Sequence, residues 1–128
     1  MVNRMLRGEY SARGDRRDKG QASIEFAGVL FILLIAGLAA VQLGLVAYSI
    51  QQAGTASRAA ARAASQHNAE WEQVGQSSMS DWLAGDTDFD RSFPGTDEVK
   101  VEAKVEVPTI LPIFSFDPAT RNTTMPMD

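Results

Sequence analysis

A long apolar run is the feature that most restricts how this chain can fold. Between Phe26 and Tyr48 the only strongly polar side chain is Gln42. Twenty helical residues at about 1.5 Å each cover the roughly 30 Å hydrocarbon core of a bilayer. The run is therefore long enough to cross a membrane, and we predict a transmembrane helix over residues 21–48.

The span leaves a small region behind it. About eighty residues follow Tyr48, and a region of that size buries only a modest core. The chain of 128 residues has no cysteine, which excludes disulfides, thiolate zinc sites and thiol nucleophiles. We expect the region to gain stability elsewhere, for example from partner subunits.

The charges are distributed unevenly on the two sides of the span. Residues 1–20 hold six basic and three acidic side chains, whereas the remainder holds six basic and thirteen acidic ones. The positive-inside rule then predicts a cytoplasmic N-terminus and an extracytoplasmic C-terminal part. Because the basic segment precedes an export-type apolar run, we interpret it as a topology signal and expect no nucleic-acid partner.

Two ordinary interpretations of the N-terminus leave features unexplained. A secretory signal peptide could end at Ala39, but it would have 39 residues against the usual 15–30, and its apolar region would continue past the cut. An uncleaved signal anchor that displays a small domain explains the length and the charge bias. It gives no role to Gly20 or Glu25.

A third interpretation explains both residues. The pattern is that of the prepilin peptidase site, with cleavage after Gly20. A basic leader (residues 1–20) ends in this glycine, and four residues, a glutamate and an apolar helix follow. Cleavage would free the α-amine of Gln21, which Glu25 of a neighbouring subunit can neutralise inside an apolar helix bundle. A carboxylate at that depth is costly unless it is paired. The alternative is that Glu25 lies at the interface and reaches water.

The stretch GQASIEFAGVLFILLIAGLAAVQLGLVAYSI, residues 20–50, resembles the N-terminal motif of TadE-like proteins. These are minor pilins (pseudopilins) of the tight-adherence, or Flp-type, pilus system. The resemblance rests on Gly20, Glu25, Phe26 and the apolar run. The Glu25-Phe26 pair is similar to the pair typical of Flp-system prepilins, whereas Gln21 departs from the Phe common at that position in other type IV pilins.

This resemblance implies a structural assembly protein that is not an enzyme. It implies a single-pass protein of the cytoplasmic membrane that acts in a pilus for adhesion or secretion. The implied partners are a prepilin peptidase, TadF-like minor pilins, the major Flp pilin and an assembly platform driven by a cytoplasmic ATPase. Two alternatives stay open, namely an uncleaved single-pass protein displaying a small binding domain and a secreted soluble module.

The helix is expected to continue beyond the membrane and to carry small residues for packing. Residues 49–70 contain no proline and many alanines, so an exported helical extension is predicted there. Small residues at every fourth position let helices approach closely in lipid. Ala36, Ala40 and Gly44 form such a stripe, and a similar stripe with spacings of three and four residues follows further along: Ala53, Ala56, Ala60 and Ala63.

Two further side chains of the helix have expected roles at the end of the span. Gln42 either hydrogen-bonds across helices or meets water. Tyr48 suits the aromatic belt at a membrane surface.

A short helix and an acidic loop are predicted over residues 71–98. Ser78 and Asp81 form a capping-box pattern that would open the helix, and Gly85 would close it. Trp71 and Trp82 are expected to fill the small core. Residues 86–97 have the composition of a loop.

Residues 99–128 are predicted to form a small β region. Apolar residues alternate with charged ones from Val99 to Val107, and Pro108 ends the strand. The best partner is the segment from Ala119 to Met127, with the apolar face packed on the helix; alternatively, the strand edge pairs with another subunit. The predicted fold is α+β: a long membrane-spanning helix (a pilin-like stem), then a short helix and a β-hairpin.

No pattern in the sequence predicts catalysis or a cofactor. Asp86, Asp88 and Asp90 have the spacing of a calcium loop, but Arg91 replaces the required Gly and the twelfth residue is Asp97, so a solvated acidic loop is favoured. His67 is the single histidine and has no ligand companions. We therefore expect no catalytic residue, no metal, no cofactor and no small-molecule substrate.

Overall fold

The computed structural model describes residues 9–128, with side chains from residue 17. Its elements in chain order are three helices and three strands: α1 (Glu9–Ser65), α2 (Trp71–Ser77), α3 (Asp81–Ala84), β1 (Thr87–Gly95), β2 (Glu98–Val105) and β3 (Ala119–Pro126). The predicted α+β fold with one long apolar N-terminal helix is confirmed. The first eight residues of the predicted leader lie outside the described residues.

Helix α1 contributes to two compact units of the chain. The first unit ends at Ala39, and the second, Ala40–Asp128, is called the C-terminal domain below. The C-terminal domain contains the last part of α1, both short helices and the whole sheet.

Helix α1 ends at Ser65, earlier than the predicted extension to residue 70, and the turn that follows gives the reason. His67 has a φ of 59°, in the left-handed region. Its N–H donates to the carbonyl of Ala64 at 3.1 Å, and the N–H of Asn68 donates to the carbonyl of Ala63 at 3.0 Å. This pair of bonds is the Schellman motif, which terminates a helix by satisfying its last carbonyl groups.

The sheet is antiparallel with the order β1-β2-β3. Strand β2 pairs with β3 in a register that places Val99 opposite Met125 and Val105 opposite Ala119. The predicted pairing of these two segments is confirmed. Because β2 is the central strand, with neighbours on both sides, the alternative in which its edge pairs with another subunit is wrong.

The predicted acidic loop is mostly strand β1. Its register with β2 places Asp88 opposite Lys104, so opposite charges face each other across the pair. Aspartate is depleted in strands, and local sequence therefore argued for a loop. Pairing with β2 and burial of Thr87 outweigh that preference.

The core lies between the outer part of α1 and one face of the sheet. Strand β2 buries Val99, Val101, Ala103 and Val105, as its alternation predicts. These side chains pack in two clusters with α1 alanines, among them Ala53, Ala56, Ala60 and Ala63. The second small-residue stripe is therefore covered by the sheet of its own chain. Its interpretation as a packing surface like that of the first stripe is wrong, because the valines of β2 occupy the space that the missing side chains leave.

Helix α2 packs so closely on its neighbours that one position requires glycine. A Cβ atom added to Gly75 would lie 2.7 Å from Phe89 Cε1 and 3.0 Å from Ala60 Cβ. Trp71, at the start of the same helix, is buried and meets Phe89 edge-on with ring centroids 6.5 Å apart. The prediction that Trp71 fills the core is confirmed.

Helix α3 does not begin with the predicted capping box. It starts at Asp81, with Ser80 as its N-cap and without a side-chain capping bond. The Ser78 hydroxyl donates instead to the carbonyl of Gly75 at 2.7 Å, because Ser78 follows the end of α2. Trp82 is 53% exposed, so its predicted place in the core is wrong.

Candidate processing and assembly site

The four residues of the predicted processing motif lie on α1 and are all exposed: Gly20, Gln21, Glu25 and Phe26. A Cβ atom added to Gly20 would meet nothing within 4 Å. The Ser23 hydroxyl donates to the carbonyl of Lys19 at 2.9 Å. These two residues are four positions apart, so the hydrogen bond links the helix across the Gly20–Gln21 bond. The candidate bond is thus accessible and is part of a continuous helix.

Glu25 stands at the start of the apolar run. Within the residues that the structure describes, its carboxylate has no hydrogen-bond or ion-pair partner. The next residue, Phe26, is also exposed and begins a series of large apolar side chains. No side chain from residue 17 onward therefore neutralises this acid within the same chain.

The apolar side chains of α1 that follow are mostly exposed. One helix among the described residues is long and apolar enough to cross a membrane, and 6% of its most apolar 18-residue window is buried. The exposed residues include Phe31, Leu33 and Leu34. Lipid is the solvent in which such a surface is stable, so the helix fits a single-pass membrane protein.

The small residues of the span have open space around them. Ala36, in the first unit, is exposed, and so are Ala40 and Gly44 in the C-terminal domain. Added Cβ atoms at Gly28, Gly37 and Gly44 would meet nothing within 4 Å. Nothing described in this chain requires small side chains at these glycines, although glycine in a helix interior costs about 1 kcal/mol relative to alanine.

Gln42 binds the backbone of the chain itself. Its amide Nε2 donates to the carbonyl of Pro108 at 2.9 Å, and its Oε1 accepts the N–H of Ile110 at 2.7 Å. The side chain is only 2% exposed. Neither expected role, a bond to another helix or contact with water, is observed, because the segment after β2 occupies the site.

Tyr48 also contacts a distant part of the C-terminal domain. Its ring stacks on Trp82 with centroids 5.9 Å apart, and its hydroxyl shares a hydrogen bond with the hydroxyl of Ser80. The backbone N–H of Ser80 donates to Oε1 of Gln52 at 3.1 Å. Two aromatic side chains, both partly exposed, therefore stand together near the end of the apolar run.

The described residues offer no metal centre. Among them no group of three or more His, Cys, Asp or Glu side chains is placed to hold a metal ion. Asp88 and Asp90 belong to an extended strand, in which alternate residues are about 7 Å apart and do not converge as calcium ligands do. His67 occupies the left-handed turn after α1, a structural position.

Comparison with known proteins gives one result. The model of the family described as TadE-like protein matches residues 20–62, which are 43 of the 128 residues. Residues 20–62 are similar to the TadE-like family. The resemblance that rested on Gly20, Glu25 and Phe26 is thereby confirmed over this segment, called the TadE-like region below. Neither the curated proteins nor the solved structures contain a match.

The TadE-like region has consequences for the class of function. The family is structural and non-enzymatic, and it is associated with the Tad pilus and with membranes. The region includes the candidate cleavage site, the apolar run and part of the second small-residue stripe, which the sheet covers.

Sequence reasoning missed the contacts of Gln42 and Trp82. A single amide in an apolar run and a proline-rich segment without charges were both visible in the sequence. Nothing in the sequence joined residue 42 to residue 110.

Proposed function

We propose that this chain is a minor pilin (pseudopilin) of a tight-adherence pilus, cleaved by a prepilin peptidase after Gly20. One coincidence carries the proposal. Gly20 and Glu25 have the cleavage spacing at the start of the TadE-like region, directly before an apolar helix whose side chains are exposed. Assembly of the pilus, for adhesion or secretion, is the role that follows.

Processing would use the exposed position of Gly20 and the charges before it. Glycine is one of the weakest helix formers, so the helix opens there more easily than at a neighbouring residue. Arg17 and Lys19 precede the bond, and the positive-inside rule places them in the cytoplasm. The peptidase would then act at the cytoplasmic face of the membrane.

Assembly would use the new N-terminus together with Glu25. Cleavage gives Gln21 a free α-amine, positive at neutral pH. In an apolar bundle an unpaired carboxylate and an unpaired amine are both costly, whereas a pair between subunits offsets much of that cost. Exposed Ala36, Ala40 and Gly44 would let the helices of neighbouring subunits approach closely.

The proposed partners are those of the pilus system. They are the prepilin peptidase, TadF-like minor pilins, the major Flp pilin and the assembly platform. The chain would cross the cytoplasmic membrane once, with a cytoplasmic N-terminus and the C-terminal domain outside.

N-terminal sequencing tests the cleavage directly. The full chain is co-expressed with its cognate prepilin peptidase, and the membrane fraction is extracted and sequenced. A start at Gln21 supports the proposal, an intact Met1 contradicts it, and a start near Ala40 favours a secreted module. Gly20→Leu should block cleavage, whereas the matched variant Gly28→Leu should leave it unchanged; cleavage of Gly20→Leu would refute the assigned bond.

Glu25 makes a separate prediction about assembly. Glu25→Gln keeps the size of the side chain and removes its charge, so processing should continue while the protein disappears from sheared pilus fractions. Glu25→Ala should behave in the same way. Normal pilus incorporation of both variants would leave Glu25 as an interfacial acid that meets water.

The second candidate is an uncleaved single-pass protein that displays the C-terminal domain for binding. The continuity of α1 across the Gly20–Gln21 bond favours it, since the bond must leave the helix before it can be cut. An intact N-terminus in the presence of the peptidase would support this candidate.

A further inference from the structure

The segment between β2 and β3, residues 106–118, is longer than a hairpin needs. Hairpin loops usually have two to five residues, and long loops without regular structure are commonly functional. Between its charged ends, Glu106 and Asp117, this segment has no charged residue. It is called the apolar loop below.

Three large side chains of the apolar loop are exposed and lie outside the core. Ile113 is 82% exposed and Phe114 is 51% exposed, and Ile110 is exposed as well. Phe114 lies beside Phe116 with ring centroids 6.4 Å apart. Contiguous exposed apolar residues of this kind mark an interaction site.

Gln42 places the base of this loop beside the span. Its two hydrogen bonds hold the backbone of Pro108 and Ile110 against α1. Gln42 lies six residues before Tyr48, which is about 9 Å along the helix. The loop therefore starts at the depth of the last turns of the apolar run.

The backbone N–H groups of the loop are satisfied in part. Pro108 and Pro112 have no N–H group, the N–H of Ile110 binds Gln42, and the N–H of Phe114 donates to the carbonyl of Leu111 at 3.2 Å. Within the described residues the other N–H groups of the loop beyond its first residue have no partner, so the loop suits the water-containing interface and not the hydrocarbon core, where each unsatisfied group is costly.

We propose that the apolar loop inserts into the lipid interface at the C-terminal end of the span and forms a second membrane contact, held at its depth by Gln42. Lipid is the occupant that fits, because the base of the loop is bonded to Gln42, in the last apolar turns of α1, and the loop has charges only at its ends. Tyr48 and Trp82 add an aromatic pair of the type that lines membrane surfaces. The inference requires that α1 crosses a membrane, and it holds whether or not Gly20 is a cleavage site.

Spin labels test the depth of the loop. The chain has no cysteine, so Ile113→Cys gives a single labelling site at an exposed position. The full chain is reconstituted in vesicles of phosphatidylcholine and phosphatidylglycerol, and collisions with oxygen and with a water-soluble nickel chelate are measured. Leu34→Cys is the lipid reference, and Thr124→Cys on β3 is the water reference.

The ratio of oxygen to nickel collisions at residue 113 should exceed that at residue 124 by about fivefold and remain below that at residue 34, which lies near the middle of the span. A ratio equal to that at residue 124 overturns the proposal. A ratio that falls when lipid is added at constant protein also overturns it. Added lipid separates the copies of the chain, so such a fall would mean that a second copy, and not lipid, had covered the loop. Burial that requires other pilus subunits in the same vesicle assigns the surface to protein and likewise overturns it.

The role of Gln42 has its own variant. Gln42→Leu in the Ile113→Cys chain should lower the collision ratio about twofold, since the loop loses both bonds to α1. The matched variant Gln51→Leu, at an exposed helical glutamine, should not change it. In the unaltered chain the Ile110 amide should exchange its hydrogen slowly; fast exchange, or an unchanged ratio in Gln42→Leu, would show that Gln42 does not hold the loop.

Discussion

The two parts of α1 use small residues in opposite ways. In the first unit, Gly28 and Gly37 are surrounded by open space. In the C-terminal domain, Ala56 and Ala60 are fully buried under the sheet of the same chain. Small residues on a helix are therefore closely packed within the chain in one setting and uncovered in the other, and the sequence pattern does not distinguish the two.

The polar residues of the helix differ in the same way. Gln42 is buried and has both of its amide atoms bonded within the chain. Glu25 is exposed and has no partner among the described residues. The contrast separates a polar group that the fold satisfies from one that no described residue satisfies.

Enlarging one alanine in each part gives the largest expected difference. Ala60→Leu places three extra carbons in a fully packed site near Gly75, and we expect the C-terminal domain to lose about 3 kcal/mol of unfolding free energy. Ala36→Leu adds the same atoms at an exposed position and should leave this stability unchanged. Thermal unfolding of the full chain in detergent, followed by near-ultraviolet circular dichroism, measures both. Equal melting temperatures for the two variants would contradict the comparison.

Much of the fold could be predicted because single patterns extend over long segments. The apolar run identifies α1, and the alternation from Val99 to Val105 identifies β2 and its buried face. Strand β1 escaped prediction since it is rich in aspartate and owes its structure to pairing with β2. Propensity favoured a loop, and pairing outweighed it.

The features of the candidate site also differ in whether the sequence alone could predict them. The Gly20 and Glu25 motif is local, so the sequence alone shows it. The contact between Gln42 and Ile110 joins residues 68 positions apart, and no periodicity reports such a contact. Likewise, the second small-residue stripe was visible in the sequence, but its partner, strand β2, was identified only by the fold.

Replacing one glycine by alanine in each setting should give effects of opposite sign. Gly75→Ala forces a Cβ to within 2.7 Å of Phe89 Cε1, so we expect a loss of about 2 kcal/mol. Gly44→Ala meets open space in a helix interior and should stabilise the helix by about 0.5–1 kcal/mol. The same thermal unfolding experiment measures Gly75→Ala, and hydrogen exchange of the amides around residue 44 measures Gly44→Ala. A stabilised Gly75→Ala would mean that α2 moves away from Phe89 without cost.

The smallest expected effect concerns the turn that ends α1. His67 adopts a left-handed conformation, with a φ of 59°, that disfavours any residue with a Cβ. Glycine removes this strain, although it also raises the conformational entropy of the unfolded chain. We expect the relief of strain to be the larger effect, so His67→Gly should stabilise the C-terminal domain by about 0.5–1 kcal/mol.

Arg62→Gly is the matched control for that change, because Arg62 is exposed within α1. Glycine in place of arginine in a regular turn of helix should lower stability by about 0.5–1 kcal/mol. Thermal unfolding of the two variants should therefore shift the melting temperature in opposite directions. If His67→Gly lowers it as well, the imidazole makes a stabilising interaction that outweighs the strain, and its role is more than that of a helix stop.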